Sequence, residues 1–356
     1  MDKPVLGSLK LALGYDCNLK CGFCLQQNAD KSPKLDFADV QKIMQEDMVK
    51  SDVKRITITG GEPTHEPYID TAATIVELAS RMGKETCIFT NGVLLDDDML
   101  GMFKYMGLTR FRVSLYDPID WKWVRDLMKR LKAHDFPRMA KYTVTKETIG
   151  NIDEVLHNVA NKTGIEWFQV KPYNRIEVPE VDAQYELEPD QVFELSAKLL
   201  KFKMEEPQIK VDLLPLCYEF LVDNTIKAED ISPCNCGQGK EGYLVVTPTG
   251  DVKICGAYPV ALGNIKTDTI TDIWENHHLL KEVRTRTQPE QCKDCDHWEK
   301  CKKNDCHSAT YAMHGDFKHG NPQCPIIKKK YAKYAGKITN LTHDEWDDKL
   351  ERMGKT

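Results

Sequence analysis

Six short apolar segments alternate with helix-length amphipathic stretches through the first half of the chain. This alternation restricts the fold more than any other feature. The segments read "LKLALG", "RITITG", "TCIFTNG", "RFRVSLYD", "AKYTVT" and "WFQVKPY". Between them, stretches such as "FADVQKIMQEDMVK" and "YIDTAATIVELASRM" carry apolar residues at helical spacing. Strands separated in this way point to an α/β fold with a parallel sheet or barrel of βα units. Ligands in such folds bind at the carboxyl ends of the strands. The chemically suggestive residues fall there: "GGEP" after the second strand, "TNG" after the third, "SLYD" after the fourth and "KPY" at the sixth.

The pattern weakens from about residue 174. "NRIEVPEVDAQYELEPDQ" is acidic and contains proline, and a helix is expected near "QVFELSAKLLKFKM". Residues 1–175 are therefore expected to form the barrel and 176–232 a bridging segment. Residues 233–325 form a separate cysteine-rich unit and 326–356 a charged, partly helical tail. "GYLVVTPTGDVKIC" in the third unit reads as a hairpin with a Thr-Gly-Asp turn. The rest of that unit shows little hydrophobic periodicity, so bound metal is expected to supply much of its stability.

A length of 356 residues suits two domains, and 41% hydrophobic with 29% charged residues suits a globular protein. A net charge of −6 gives no electrostatic case for general nucleic-acid binding. No apolar run approaches the roughly eighteen residues that span a bilayer. "MDKPVLGSLKLALGYD" lacks the parts of a secretory signal. The expected location is cytoplasmic, with neither membrane nor nucleic acid as a partner.

Thirteen cysteines are unevenly spread. Cys17, Cys21 and Cys24 form C-x3-C-x2-C, Cys87 and Cys217 stand apart, and eight fall between Cys234 and Cys324. In a reducing compartment such clustering favours metal or iron–sulfur ligation over disulfides. Three thiolates on a four-iron cluster leave one iron with open coordination. A zinc site would want a fourth ligand from elsewhere in the chain. The eight later cysteines, including "CKDCDHWEKCKKNDC", are enough for two fully ligated clusters or two zincs.

The cysteine loop after the first strand, Phe23 before its last cysteine and "GGEP" after the second strand together resemble the radical S-adenosylmethionine superfamily. The resemblance implies a partial (βα)6 barrel. Cys17, Cys21 and Cys24 would hold a [4Fe-4S] cluster whose open iron takes the methionine end of S-adenosylmethionine, and reductive cleavage would yield a 5′-deoxyadenosyl radical. It also implies cofactor contacts from Gly60, Gly61, Glu62 and Pro63, whose glycines let backbone approach a ligand closely. Ser114 matches a polar residue near the methionine carboxylate or ribose. Thr90 and Asn91 are expected near the site, and Asn151 near the nucleoside. Tyr116 is extra relative to the family pattern, so no role passes to Asp117.

The spacing from Cys234 onward, C-x-C, then x13-Gly250-x4-Cys255, then C-x2-C-x5-C, resembles the SPASM domain. That likeness implies one auxiliary cluster on Cys234, Cys236, Cys255 and Cys306, and a second on Cys292, Cys295, Cys301 and Cys324. With the first loop this makes three [4Fe-4S] clusters. Two departures are the tight C-x-C pair and a C-x4-C where C-x3-C is usual. If Cys234 and Cys236 do not both serve one cluster, either Cys217 substitutes or one iron is left open.

Anaerobic sulfatase-maturating enzymes share this organisation, but they carry a carboxylate after the x4-C cysteine, where this chain has Gly256. The expected reaction is oxidative modification of a peptide or protein, a crosslink, thioether or dehydrogenation, with the auxiliary clusters accepting electrons. A flavodoxin or ferredoxin is the expected reductant. Oxidation or epimerisation of a small molecule is the alternative, with Cys217 as hydrogen donor. A non-catalytic iron–sulfur carrier or metal-stapled binding protein is a third reading, against which "GGEP" argues. Only sixteen residues precede Cys17, so no leader-binding domain is expected before it. Peptide binding is expected at the barrel mouth, where Lys171, Tyr173 and Arg175 could meet a carboxylate.

Overall fold

The structure, a computed structural model, describes residues 4–24, 26, 28–173, 184–213, 223, 225, 227, 242–256, 258–302, 306–321, 324, 326 and 327. Arg175, Cys217, Cys234, Cys236 and most of the expected tail lie outside the described residues. Strands β1 (Leu6–Ala12), β2 (Arg55–Thr59), β3 (Glu85–Thr90), β4 (Arg110–Leu115), β5 (Met139–Val144) and β6 (Trp167–Pro172) are the six expected segments. They lie side by side in chain order, each parallel to the next. Helices α1 (Phe37–Gln45), α2 (Asp47–Ser51), α3 (Ile69–Arg81), α4 (Asp97–Tyr105), α5 (Trp121–Ala133) and α6 (Ile152–Asn158) fill the crossovers.

Period-two alternation decides what each strand shows to each side. On β4, Phe111, Val113 and Leu115 are buried in the core shared with Leu127, Met128 and Leu131 of α5. Each such side chain contributes on the order of 1.5–3 kcal/mol by leaving water. The intervening Arg112 and Ser114 face the concave side and line a cavity.

The sheet runs past residue 175. After α7 (Pro189–Glu205), β7 (Lys210–Leu213) pairs in parallel with β6, so the bridging segment supplies a seventh βα unit. On the other side, β8 (Gly242–Val246) pairs in parallel with β1, beginning at Leu6 opposite Gly242. The expected hairpin then forms, with β9 (Asp251–Lys253) antiparallel to β8 and β10 (Gly263–Asn264) antiparallel to β9. One ten-stranded sheet results, in the order β10-β9-β8-β1-β2-β3-β4-β5-β6-β7.

Leu244, Val252, Ile254, Tyr258, Trp274 and Leu280 belong to the same buried core as the barrel. The expectation that the cysteine-rich unit is short of core does not hold for this stretch. Its periodicity is hard to see because the elements are short and their apolar faces meet the barrel. Among the described residues, no helix is long and apolar enough to cross a membrane.

The single helix expected over "FADVQKIMQEDMVK" is broken at Glu46, which is extended at φ −64° and ψ 137°. The break aims the Glu46 carboxylate at the start of the helix Ile270–Asn276, where it accepts from the backbone N–H groups of Ile270 (2.8 Å) and Thr271 (3.3 Å). Negative charge there satisfies otherwise orphaned donors and opposes the helix dipole. Trp274 of the same helix is fully buried and donates from Nε1 to the Pro4 carbonyl at 3.0 Å.

Candidate active site

The cysteine loop leaves β1 and is held against the end of β2 by backbone contact. Gly61 donates to the Gly14 carbonyl at 2.7 Å and Glu62 to the Asp16 carbonyl at 2.9 Å. A Cβ at Gly61 would lie 1.8 Å from the Asp16 oxygen, and Gly60 has φ +131°, which only glycine adopts readily. The two glycines are thus explained by the close approach of the cysteine-loop backbone. Tyr68 adds a third tie, its hydroxyl accepting from Asp16 N–H at 2.9 Å.

Glu62 is buried, and its carboxylate binds its own chain. Oε1 accepts from Thr64 N–H (3.0 Å), Thr64 Oγ1 (2.7 Å) and Thr90 Oγ1 (2.8 Å), while Oε2 accepts from Asn91 N–H (2.7 Å). This clasp joins the ends of β2 and β3 and fixes Asn91. The Asn91 amide donates to Asn18 Oδ1 at 2.7 Å and reaches the Cys17 sulfur at 3.7 Å.

Burial, and the Cys24 and Cys17 thiols beside it, push Cys21 up to about 11. Burial also raises Cys17. The sulfurs are therefore close enough to repel when ionised. Three thiols in one loop are the donor set that a cluster takes, its ligands sitting on separate irons.

Two cavities meet at this loop, of about 990 Å³ and about 300 Å³, and both are lined by Cys21, Phe23, Asn91, Ser114 and Tyr116. The smaller also takes in Cys17, Cys24, Gly60, Gly61, Glu62 and Thr90, and the larger takes in Asn151. Pro63 lines neither. The Phe23 ring lies 5.7 Å from Tyr116, 6.5 Å from Tyr173 and 6.3 Å from Tyr185, centre to centre. Tyr116 therefore extends the aromatic wall. Asp117 accepts from the Tyr142 hydroxyl and, at 3.0 Å, from the Asn151 amide, so it holds Asn151 at the rim of the larger cavity.

Three contacts place some of the later cysteines. Cys255 lies 2.7 Å from Ser308 Oγ, and Ser308 follows Cys306 by two residues. Cys292 and Cys295 share one turn, closed by a bond from Cys295 N–H to the Cys292 carbonyl at 2.9 Å. The Cys292 sulfur lies against Gly320. Cys87 is buried in β3.

Residues 11–159 match the radical SAM superfamily, and residues 234–296 match SPASM, an iron–sulfur cluster-binding domain. The chain carries a radical SAM domain and a SPASM domain. The AdoMet-dependent heme synthase of Methanosarcina barkeri is 24% identical, over 90% of this chain and 96% of its own. The PqqA peptide cyclase of Gluconobacter oxydans is 23% identical, over 90% of both chains. Among solved structures, anSMEcpe with bound AdoMet and Kp18Cys peptide shares the fold with a TM-score of 0.71. It is 18% identical and the match covers 94% of this chain and 98% of that one.

The radical SAM barrel also presents residues that the motif reading passed over. Arg112, Lys141 and Lys171 line the smaller cavity from β4, β5 and β6. Only Lys171 was singled out from the sequence. The signal was period two: Arg112 shares a strand face with Ser114, and Lys141 pairs in register with Ser114. Burial first, then repulsion from Lys171, Arg112 and Lys10, holds Lys141 well below the ordinary lysine range. Burial brings Arg112 down to about 10.

Proposed function

We propose that this enzyme abstracts a hydrogen atom from a peptide or protein and commits it to oxidative modification, with auxiliary clusters as electron acceptors. The convergence of the three-thiol loop, the glycine backbone and the aromatic wall on two adjoining cavities carries this reading. When bound, the cluster and S-adenosylmethionine together supply the 5′-deoxyadenosyl radical that takes the hydrogen. Cys17, Cys21 and Cys24 hold that cluster. Asn91 steadies the Cys17 side of the loop, and the backbone at Gly60 and Gly61 meets the methionine end. Ser114 contacts the carboxylate or ribose, while Asn151, held by Asp117, contacts the nucleoside. Phe23, Tyr116, Tyr173 and Tyr185 exclude water from the place where a radical must survive.

Cys255 and Cys306, with Cys234 and Cys236, hold one auxiliary cluster. Cys292, Cys295, Cys301 and Cys324 hold the other. A flavodoxin or ferredoxin supplies electrons, in a cytoplasmic setting that keeps the thiols reduced. The names of two similar proteins, a PqqA peptide cyclase and anSMEcpe with a peptide, support a peptide substrate. A second reading, oxidation of a small molecule, draws on the heme synthase relative.

Anaerobically reconstituted protein with dithionite and S-adenosylmethionine should yield 5′-deoxyadenosine and contain about twelve irons per chain. Replacing Cys17, Cys21 and Cys24 with alanine should abolish cleavage and leave auxiliary-cluster absorption. A co-expressed peptide that loses two hydrogens supports the peptide reading. Absence of cleavage with the first cluster present sinks the radical one.

A further inference from the structure

Ser308 is the second residue of the helix His307–His314 and is fully buried. A hydroxyl taken out of water needs a hydrogen-bond partner. Its Oγ lies 2.7 Å from the sulfur of Cys255, a residue 53 positions earlier in the chain. Cys306, the N-cap of the same helix, is buried as well.

Tyr258 brings a second buried hydroxyl to this neighbourhood. Its N–H donates to the Cys255 carbonyl at 3.0 Å, and its ring packs 5.0 Å from Tyr311 and 6.4 Å from Phe317, centre to centre. Burial first, then Tyr311, Glu282 and Cys255, raises the Tyr258 phenol above its ordinary range, so it keeps its proton. That hydroxyl has no hydrogen-bond partner among the described residues. A buried donor left over beside a cysteine fits a place where a bound group brings the acceptor.

A protonated thiol and a hydroxyl can each donate to the other. A cysteine that ligates iron has lost its proton, so its sulfur only accepts. With Cys255 as a ligand, the direction is fixed and Ser308 is the donor. Hydrogen bonds to ligand sulfurs are one of the levers that set a cluster's potential. They favour the reduced form, which carries more negative charge, and so raise the potential. Ser308 achieves this without the desolvation cost of a buried ion.

We propose that Ser308 is a positioning residue for electron transfer: its hydroxyl donates to the Cys255 sulfur and raises the reduction potential of the auxiliary cluster that Cys255 holds. The proposal rests on the reading above that Cys255 is an auxiliary-cluster ligand. Under the oxidative reading, a substrate that has lost a hydrogen atom gives one electron to an auxiliary cluster and one proton to solvent. A higher potential favours that transfer.

Anaerobic redox titration of the reconstituted full chain, followed by electron paramagnetic resonance, compares the parent with Ser308→Ala. One cluster midpoint should fall, enough to change its reduced-to-oxidised ratio roughly threefold to tenfold at a fixed potential. The other midpoints and the iron content should stay as in the parent. Cys255→Ala should abolish the signal that Ser308→Ala shifts. After exchange into D2O, electron–nuclear double resonance of that reduced cluster should show a deuteron coupling that Ser308→Ala lacks. Ser308→Thr, which keeps a hydroxyl, should retain both the coupling and the parent midpoint.

Unchanged or raised midpoints in Ser308→Ala with full iron overturn the proposal. So does a deuteron coupling that survives in Ser308→Ala, since the donor is then another group. Loss of one cluster's iron from Ser308→Ala makes the hydroxyl structural and overturns it as well. Persistence of every cluster signal in Cys255→Ala refutes the ligand reading, and the proposal with it. The two failures are distinguishable, because the first leaves Cys255→Ala short of one cluster. The titration requires neither substrate nor turnover.

Discussion

A methyl group at position 61 would lie 1.8 Å from the Asp16 carbonyl oxygen and 2.5 Å from its carbon. Neither atom can move without pulling the cysteine loop off β2. Gly61→Ala should therefore cost about 1–3 kcal/mol, the usual penalty for overpacking. It should also lower iron retention at the first site, read by iron analysis beside a denaturation midpoint. Glu62→Gln tests the clasp. The amide keeps one acceptor oxygen but points an NH2 at donors from Thr64, Thr90 or Asn91, so one buried donor loses its acceptor, at about 1–3 kcal/mol. At this scale "GGEP" was legible as special, but the glycine contact is with the chain's own backbone. That distinction needs the placement of Gly14–Asp16, which no motif encodes. The inward cations were obscured because a lysine facing a barrel interior and one facing solvent read alike in sequence.

Glu46 shows the same limit for elements. Apolar spacing in "FADVQKIMQEDMVK" favours one continuous helix, and the break is set by a partner more than two hundred residues away. Glu46→Lys should remove the acceptor for two N–H groups and put a cation at a positive helix end. The expected loss is about 1–2 kcal/mol, measurable by chemical denaturation. Glu46→Ala should lose less, since it removes the favourable charge without reversing it. The six strands were readable because each is locally apolar and their partners follow in order. The β1–β8 pairing was not readable, because it joins Leu6 to Gly242 across most of the chain and no local pattern specifies such a partner. The strand β7 was missed because it is short and follows an acidic, proline-containing stretch.

At the scale of the whole molecule, the shared sheet and core redistribute what the clusters are needed for. Leu244, Val246, Val252 and Ile254 are fully buried with the barrel, and Trp274 and Leu280 bury the helices that follow. This stretch has an apolar reason to stay folded without metal. Residues around Cys292, Cys295 and Cys301 differ: their turns are short, and all three cysteines are partly exposed. Iron chelation should therefore uncouple the two parts. In hydrogen exchange, amides of β8, β9 and the helices Ile270–Asn276 and His278–Arg284 should keep slow exchange after chelation, while amides across 290–301 should exchange rapidly. Loss of protection across the whole of 242–301 would mean that the clusters, and not the shared core, hold the C-terminal unit on the barrel. Retention everywhere would mean that the cysteine turns are stable without iron.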